Sequence, residues 1–226
     1  MDKYFSVAID GPSGAGKSTI AKMCAEKLGF LYVDTGAIYR TVGLAAKRAG
    51  IASKDAEGVS ALLPGLDITM CHDESGLQRM VLCGDDVTEE IRMPEVSIYA
   101  SDVSAMPHVR AFLLEMQRGL AQTHNVIMDG RDIGTVVLPD AELKIFLTAQ
   151  PEERAKRRYD ELLIKGVKTT YEEVLKDIQY RDKNDSSRSS APLKPAENAV
   201  MIDTTGNSLE ESFRLICGII EERMAK

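Results

Sequence analysis

Along this chain, short apolar runs of β-prone residues alternate with stretches whose apolar positions recur every three or four residues. The first pattern fits buried strands, and the second fits helices laid across them. Residues 4–9 predict a strand, and residues 17–28 a helix closed by Gly29. Residues 30–33 predict a second strand, and residues 37–49 a helix ending at Gly50. Residues 125–128, 144–147 and 199–202 supply three more strands, with helical patterns before or after each. The reading is an α/β fold: a five-stranded parallel sheet with helices on both faces. Ligands of such sheets bind beyond the carboxyl ends of the strands, where Asp10, Asp34 and Asp129 fall.

Two stretches break the alternation. Residues 66–71 and 77–83 are β-prone runs joined by a polar connection at 72–76, which fits a hairpin. Gly84-Asp85 then turns the chain again, so residues 62–92 read as a small antiparallel insertion. A helical pattern from about 95 to 123, interrupted at Met106-Pro107, returns the chain to the core. Later, Pro151 opens a helix that runs to Gly166, and Thr170-x-x-Glu173 is a capping box for another. Residues 184–190 and 192–195 carry loop chemistry. If 177–188 instead stay helical, Arg181, Asp185 and Arg188 share one face. Between 154 and 188, ten Lys/Arg stand against seven Asp/Glu, a local excess of +3 in a chain of net charge −7. That stretch reads either as a lid over phosphates or as a solvated charged face.

Composition narrows the class. A chain of 226 residues, 44% hydrophobic and 28% charged, has the make-up of a globular protein with a full core. The negative net charge argues against a general nucleic-acid or membrane-surface binder, both of which need a basic face. Cys24, Cys71, Cys83 and Cys217 show neither C-x-x-C nor metal-ligand spacing and are expected as buried free thiols in a reducing cytosol. No apolar run approaches the ~18 residues of a membrane span. Motif residues begin by residue 11, leaving no room for a signal peptide, so elimination points to the cytoplasm. No long apolar face is left over for a partner, and a monomer is the default expectation.

The chemistry starts where the first strand ends. Gly11, four residues, Gly16, Lys17 and Ser18 make the phosphate-loop pattern G-x-x-x-x-G-K-S/T. Gly11, Pro12, Ser13, Gly14, Ala15, Gly16, Lys17, Ser18 and Thr19 are thus candidates for nucleoside triphosphate binding, with backbone N–H groups turned inward on the phosphates. Lys17 brings charge to the β- and γ-phosphates, and Ser18 offers a hydroxyl to the accompanying Mg²⁺. Asp10 and Asp129, at neighbouring strand ends, are candidates to order the metal's waters. Asp34-Thr-Gly-Ala-Ile-Tyr-Arg40 and Asp129-Gly-Arg-Asp132 lie on the same edge. Arg40 and Arg131 are candidates for a second phosphate, with plain ion pairs to Asp34 or Asp132 as the alternative.

These segments, together with Lys144-Ile-Phe-Leu147, Arg154-Ala-Lys-Arg-Arg158 and Ala191-Pro-Leu-Lys-Pro195, stand in the order found in bacterial cytidylate kinases. The chain resembles that family from about residue 5 to beyond 205; Asn198, where an acid is expected, is a small departure. The resemblance implies a P-loop kinase fold with its core at about 1–35, 124–150 and 191–226. A monophosphate-binding region with the β insertion would lie at about 36–123, and a helical lid at about 151–190. It implies in-line transfer of the ATP γ-phosphoryl group to CMP or dCMP with Mg²⁺. Carried onto this sequence, Arg40, Arg131 and Arg188 would take the acceptor's phosphate, and Ser101, Arg110 and Asp132 would read cytosine. Arg181 and Asp185 would face the sugar, with Thr35 nearby. Lys17, Arg131 and Arg157 would stabilise the transferring group.

Other readings stay open at this level. A kinase of AMP, UMP or shikimate shares the phosphate loop. A nucleotide-switched GTPase would use D-x-x-G, which Asp203-Thr-Thr-Gly206 fits, but no N-K-x-D guanine motif accompanies it. A DNA-associated ATPase needs a basic groove that the charge does not suggest.

Overall fold

The computed structural model describes residues 4–74 and 76–226. Strand β1 (Ser6–Asp10) leads through the phosphate loop into α1 (Lys17–Leu28), and β2 (Leu31–Asp34) runs directly into α2 (Thr35–Arg48). Then come α3 (Ala56–Leu62), β3 (Ile68–His72), β4 (Gln78–Leu82) and β5 (Asp85–Asp86). Helices α4 (Pro94–Ser104) and α5 (Pro107–Ala121) return the chain to β6 (Val126–Gly130). A π-turn, Ile133–Val137, separates β6 from β7 (Leu143–Thr148). The rest is α6 (Pro151–Ile164), α7 (Tyr171–Ser187), β8 (Val200–Asp203) and α8 (Leu209–Met224).

The main sheet has the order β2-β6-β1-β7-β8, every neighbour pair parallel. Placing β1 in the middle puts the phosphate loop at the centre of the carboxyl edge. Side-chain alternation explains the layers. Val7 and Ile9 pack with Ile20 and Cys24 of α1 and Ile216 and Ile220 of α8, whereas Ala8 joins Val33, Met128 and Leu120 on the other face. A third cluster buries Ile38, Val42 and Leu44 of α2 against Val103 of α4 and Met80 of β4. Ala155, Leu162, Val174 and Ile178 seal α6 against α7. Full burial of each Val, Leu, Ile or Met side chain is worth about 1.5–3 kcal/mol. Among the described residues, no helix is long and apolar enough to cross a membrane.

The structure corrects the sequence reading in several places. Every strand of the main sheet runs further at its carboxyl end than the apolar runs indicate. Backbone pairing continues through Asp10↔Gly130, Asp34↔Asp129 and Thr148↔Asp203, where polar side chains hide the strand. The expected hairpin exists, with Met70 opposite Met80, but β5 pairs back onto Val81–Leu82 and makes three strands. Ser75, inside the 72–76 connection, lies outside the described residues. Residues 184–187 are helical rather than loop. The Asn184 amide donates to the Ser101 carbonyl and hydroxyl, both at 2.9 Å, and Asp185 is held by Arg131, so tertiary bonds outweigh the serine-rich composition. All four cysteines are free, but only Cys24 and Cys217 are buried. Cys71 points outward from the small sheet, and Cys83 lies in its exposed turn at φ 49°.

Candidate active site

One end of the site is mostly backbone. A Cβ at Gly11 (φ +149°) would stand 1.9 Å from the Leu147 carbonyl oxygen, so glycine alone lets the loop leave the sheet there. Gly16 (φ 86°) precedes α1, whose first-turn N–H groups lack carbonyl partners within the helix and border the cleft. Lys17 is buried, and its Nζ donates to the Pro12 carbonyl at 2.8 Å. Ser18 Oγ donates to Asp129 Oδ2, and the Tyr32 hydroxyl to Asp129 Oδ1, both at 2.8 Å. Among the described residues no cluster of three or more His, Cys, Asp or Glu forms a dedicated metal cage. A hydroxyl beside one carboxylate still suits Mg²⁺, which takes few protein oxygens and keeps water and phosphate for the rest.

The other end is built from side chains of five elements. Arg110 of α5 forms a buried ion pair with Asp132, the residue before the π-turn. Arg188, just past α7, reaches the second Asp132 oxygen at 3.5 Å and Ser104 Oγ at 3.3 Å. Arg110 also donates to the Ser104 carbonyl at 3.2 Å and lies 5.5 Å from the centre of the Tyr39 ring. Asp185 accepts from Arg131 Nε at 2.8 Å and Ser101 Oγ at 3.3 Å. Arg40 donates to Ser97 Oγ at 2.7 Å and the Ile91 carbonyl at 3.2 Å. Arg181 lines the same space with its buried Nε unpartnered among the described residues. Both ends open into one cleft of about 650 Å³.

Eight arginines and Lys17 line that cleft against five carboxylates, a local excess of +4 in an acidic chain. Burial, then Arg131, pushes the Lys17 ammonium down to about 7. Burial, then Arg181, pushes Arg40 down to about 9, and burial with Arg131 takes Arg181 down to about 10. Burial and the nearby Asp34 lift Asp129 to about 6. Burial opposes ionisation of Asp185, yet Arg131, Arg181 and Arg188 hold it below the usual carboxylate range. Crowded cations of this kind are relieved by phosphate oxygens accepting charge-assisted hydrogen bonds.

Most sequence candidates meet in this cleft. Ser13 through Thr19, Thr35, Arg40, Ser101, Arg110, Arg131, Asp132, Arg181, Asp185 and Arg188 all line it. Gly11 and Pro12 stand behind it, the first for close packing and the second to hold Lys17. Arg157 lines the wall but donates to the Thr204 carbonyl at 2.9 Å and to Glu153 at 3.4 Å. Arg131 forms its ion pair with Asp185 rather than Asp132, and Arg40 bonds Ser97 and the Ile91 carbonyl rather than Asp34. Asp10, a candidate for ordering the metal's waters, is turned toward backbone instead of the cleft. Both its oxygens accept backbone N–H groups, from Ile133 and Gly134, at 2.7 Å. Sequence reasoning missed Tyr32, Arg92 and Arg154. Arg154 is buried and ties the Ser13 and Ala149 carbonyls, both at 2.8 Å, to Asp182 of α7 at 2.6 Å. It sits inside a quoted motif; Tyr32 and Arg92 carried no signal of their own.

A phosphate loop and a guanidinium cluster sharing one cleft on a parallel α/β sheet define a P-loop kinase. A family model described as cytidylate kinase matches residues 7–222. Over 214 residues the chain is 53% identical to the cytidylate kinase of Caldicellulosiruptor saccharolyticus, covering 95% of this chain and 94% of that one. Over 220 residues it is 50% identical to the cytidylate kinase of Geobacter sp. strain M21, covering 97% and 94%. The solved structure of an uncharacterized protein from Eubacterium ventriosum shares the fold, with TM-score 0.53, 14% identity, and coverage of 97% of this chain and 99% of that one. The chain belongs to the cytidylate kinase family.

Proposed function

We propose that the protein transfers the γ-phosphoryl group of ATP to CMP or dCMP, reversibly, giving ADP and the diphosphate. The observation that carries this reading is the buried Arg110–Asp132–Arg188 cluster opening into the same cleft as the phosphate loop. Cytosine offers two acceptors, its ring nitrogen and carbonyl, and one exocyclic amine donor. Arg110 donates to the acceptors, and Asp132 and Ser101 accept from the amine. Uracil reverses two of these groups, so the same residues would face mismatched partners. Hydrogen-bonding sites of this type discriminate by about 10⁴-fold or more.

The acceptor is already an anion, so no strong general base is needed. Arg40, Arg131 and Arg188 hold its phosphate, while Lys17 and the loop amides hold the donor's tail, and the two polyanions are set end to end. Ser18 and Asp129 would hold Mg²⁺, which would supply further neutralisation of phosphate charge. Residues 151–190 act as the lid, and Arg157 and Arg158 at its root face the phosphates once both substrates are in place, excluding water. The test is an acceptor panel at fixed ATP and Mg²⁺ with coupled ADP detection. CMP and dCMP should be fast, and UMP, AMP and shikimate slow; equal rates with UMP would remove cytosine reading.

A further inference from the structure

We infer that Asp10 is a positioning residue for the acceptor site: the strand that launches the donor loop also holds the turn presenting Arg131 and Asp132. This inference rests on the acceptor reading above. Asp10 is the last residue of β1, is 3% exposed, and does not line the cleft. It therefore acts through other groups. Its Oδ1 accepts from the Ile133 N–H and its Oδ2 from the Gly134 N–H, both at 2.7 Å. Those amides open the π-turn immediately after Asp132. At its far end the turn is tied back to Asp132, whose carbonyl accepts from the Val136 and Val137 N–H groups at 2.9 and 3.2 Å. Asp132 itself adopts φ −148°, ψ 26°, outside both helix and strand.

The fit of the turn on Asp10 is close. A Cβ at Gly134 would stand 3.2 Å from the Lys144 side chain and 3.4 Å from Asp10 Oδ2. A buried carboxylate is costly unless its oxygens are satisfied, and here two backbone donors do so, with no side-chain cation among the described residues in hydrogen-bond contact. Only an acceptor on both oxygens fits two converging N–H groups. The arrangement links the two substrate ends through one residue: Gly11 follows Asp10 in the chain, and Asp132 is one residue before its partners.

The test replaces Asp10→Asn, which keeps the volume but turns one acceptor into a donor aimed at an amide. CMP binding and binding of a non-hydrolysable ATP analogue with Mg²⁺ are measured separately by calorimetry, and the CMP/UMP ratio of kcat/KM by coupled assay. We expect CMP affinity to fall about tenfold or more, the CMP/UMP ratio to fall by a similar factor, and analogue affinity to stay within twofold. CMP affinity within twofold of wild type overturns the proposal. So does equal weakening of both ligands, which marks a general lesion. If Asp10→Asn does not fold, Gly134→Val asks the same question by pushing the turn off an intact Asp10; it should weaken CMP alone, and unchanged CMP binding overturns the idea. A wild-type protein that fails to bind CMP instead defeats the acceptor reading itself.

Discussion

The two ends of the cleft are built by opposite means. The proposed donor end is one contiguous segment, with backbone N–H groups and a single buried lysine facing the cleft. The acceptor end is a cluster of long side chains drawn from α2, α4, α5, the end of β6 and α7. Backbone donors are fixed once the loop folds, so the donor end needs little support. Guanidinium groups must be oriented, and here four have a partner of their own chain: Arg110 and Arg188 on Asp132, Arg131 on Asp185, Arg40 on Ser97. On the proposed reading those partners would make the acceptor end selective, because a ligand must match groups already committed to a geometry.

The largest expected break in this contrast is Lys17→Ala. It should lower kcat by about 10³-fold, since the lysine is the donor end's one mobile charge. CMP affinity should remain within about threefold of wild type, read by calorimetry without ATP. Next is Asp132→Ala, which leaves Arg110 and Arg188 buried and unpaired. Its kcat/KM should fall about 10²-fold with CMP and less with UMP. An equal fractional loss on both acceptors would remove Asp132 from base reading.

The same contrast governs what was legible in the sequence. The donor end was readable because Gly11, Gly16, Lys17 and Ser18 have a fixed spacing imposed by one loop. The strand pattern exposed the parallel sheet for a similar reason, since burial on both faces requires continuous apolar runs. The acceptor end had no spacing of its own. Ser101, Arg110, Asp132 and Asp185 are brought together by the packing of α4, α5 and α7 around the end of β6, and only family likeness drew them together beforehand. What stayed hidden was local chemistry overridden by tertiary contact. The helix through Asn184–Ser187, the role of Asp10 and the donor at Tyr32 all depend on partners far away in sequence. Asp10 shows this most clearly: its place beside the phosphate loop suggested metal, and its partners Ile133 and Gly134 lie more than 120 residues away.

A smaller effect is expected at Tyr32, which touches the donor end from behind. Its hydroxyl donates to Asp129 Oδ1, leaving Oδ2 for Ser18. Tyr32→Phe removes that donor and frees the carboxylate to rotate. The Mg²⁺ concentration for half-maximal rate should rise about tenfold, with kcat at saturating Mg²⁺ nearly restored. The KM for CMP should not move, and a shift in it would tie Tyr32 to the acceptor end.

The gentlest probe changes no residue. Burial and the neighbouring Arg131 hold Lys17 near 7, below the ordinary lysine range, so its ammonium is mostly deprotonated at pH 8. A triphosphate beside Nζ favours the charged form and raises that value. ATP binding at pH 8 should therefore draw protons from solution, approaching one per site, and the uptake should shrink as the pH falls below 7, where Lys17 is already protonated. The acceptor arginines behave differently. Arg40 and Arg181, held at about 9 and 10, are already charged at pH 8, so CMP binding should take up little. Calorimetry in two buffers of different ionisation enthalpy reads both numbers directly. Equal uptake for the two ligands would mean that the ends share one titrating group, and the division between a lysine-gated donor end and a permanently charged acceptor end would fail.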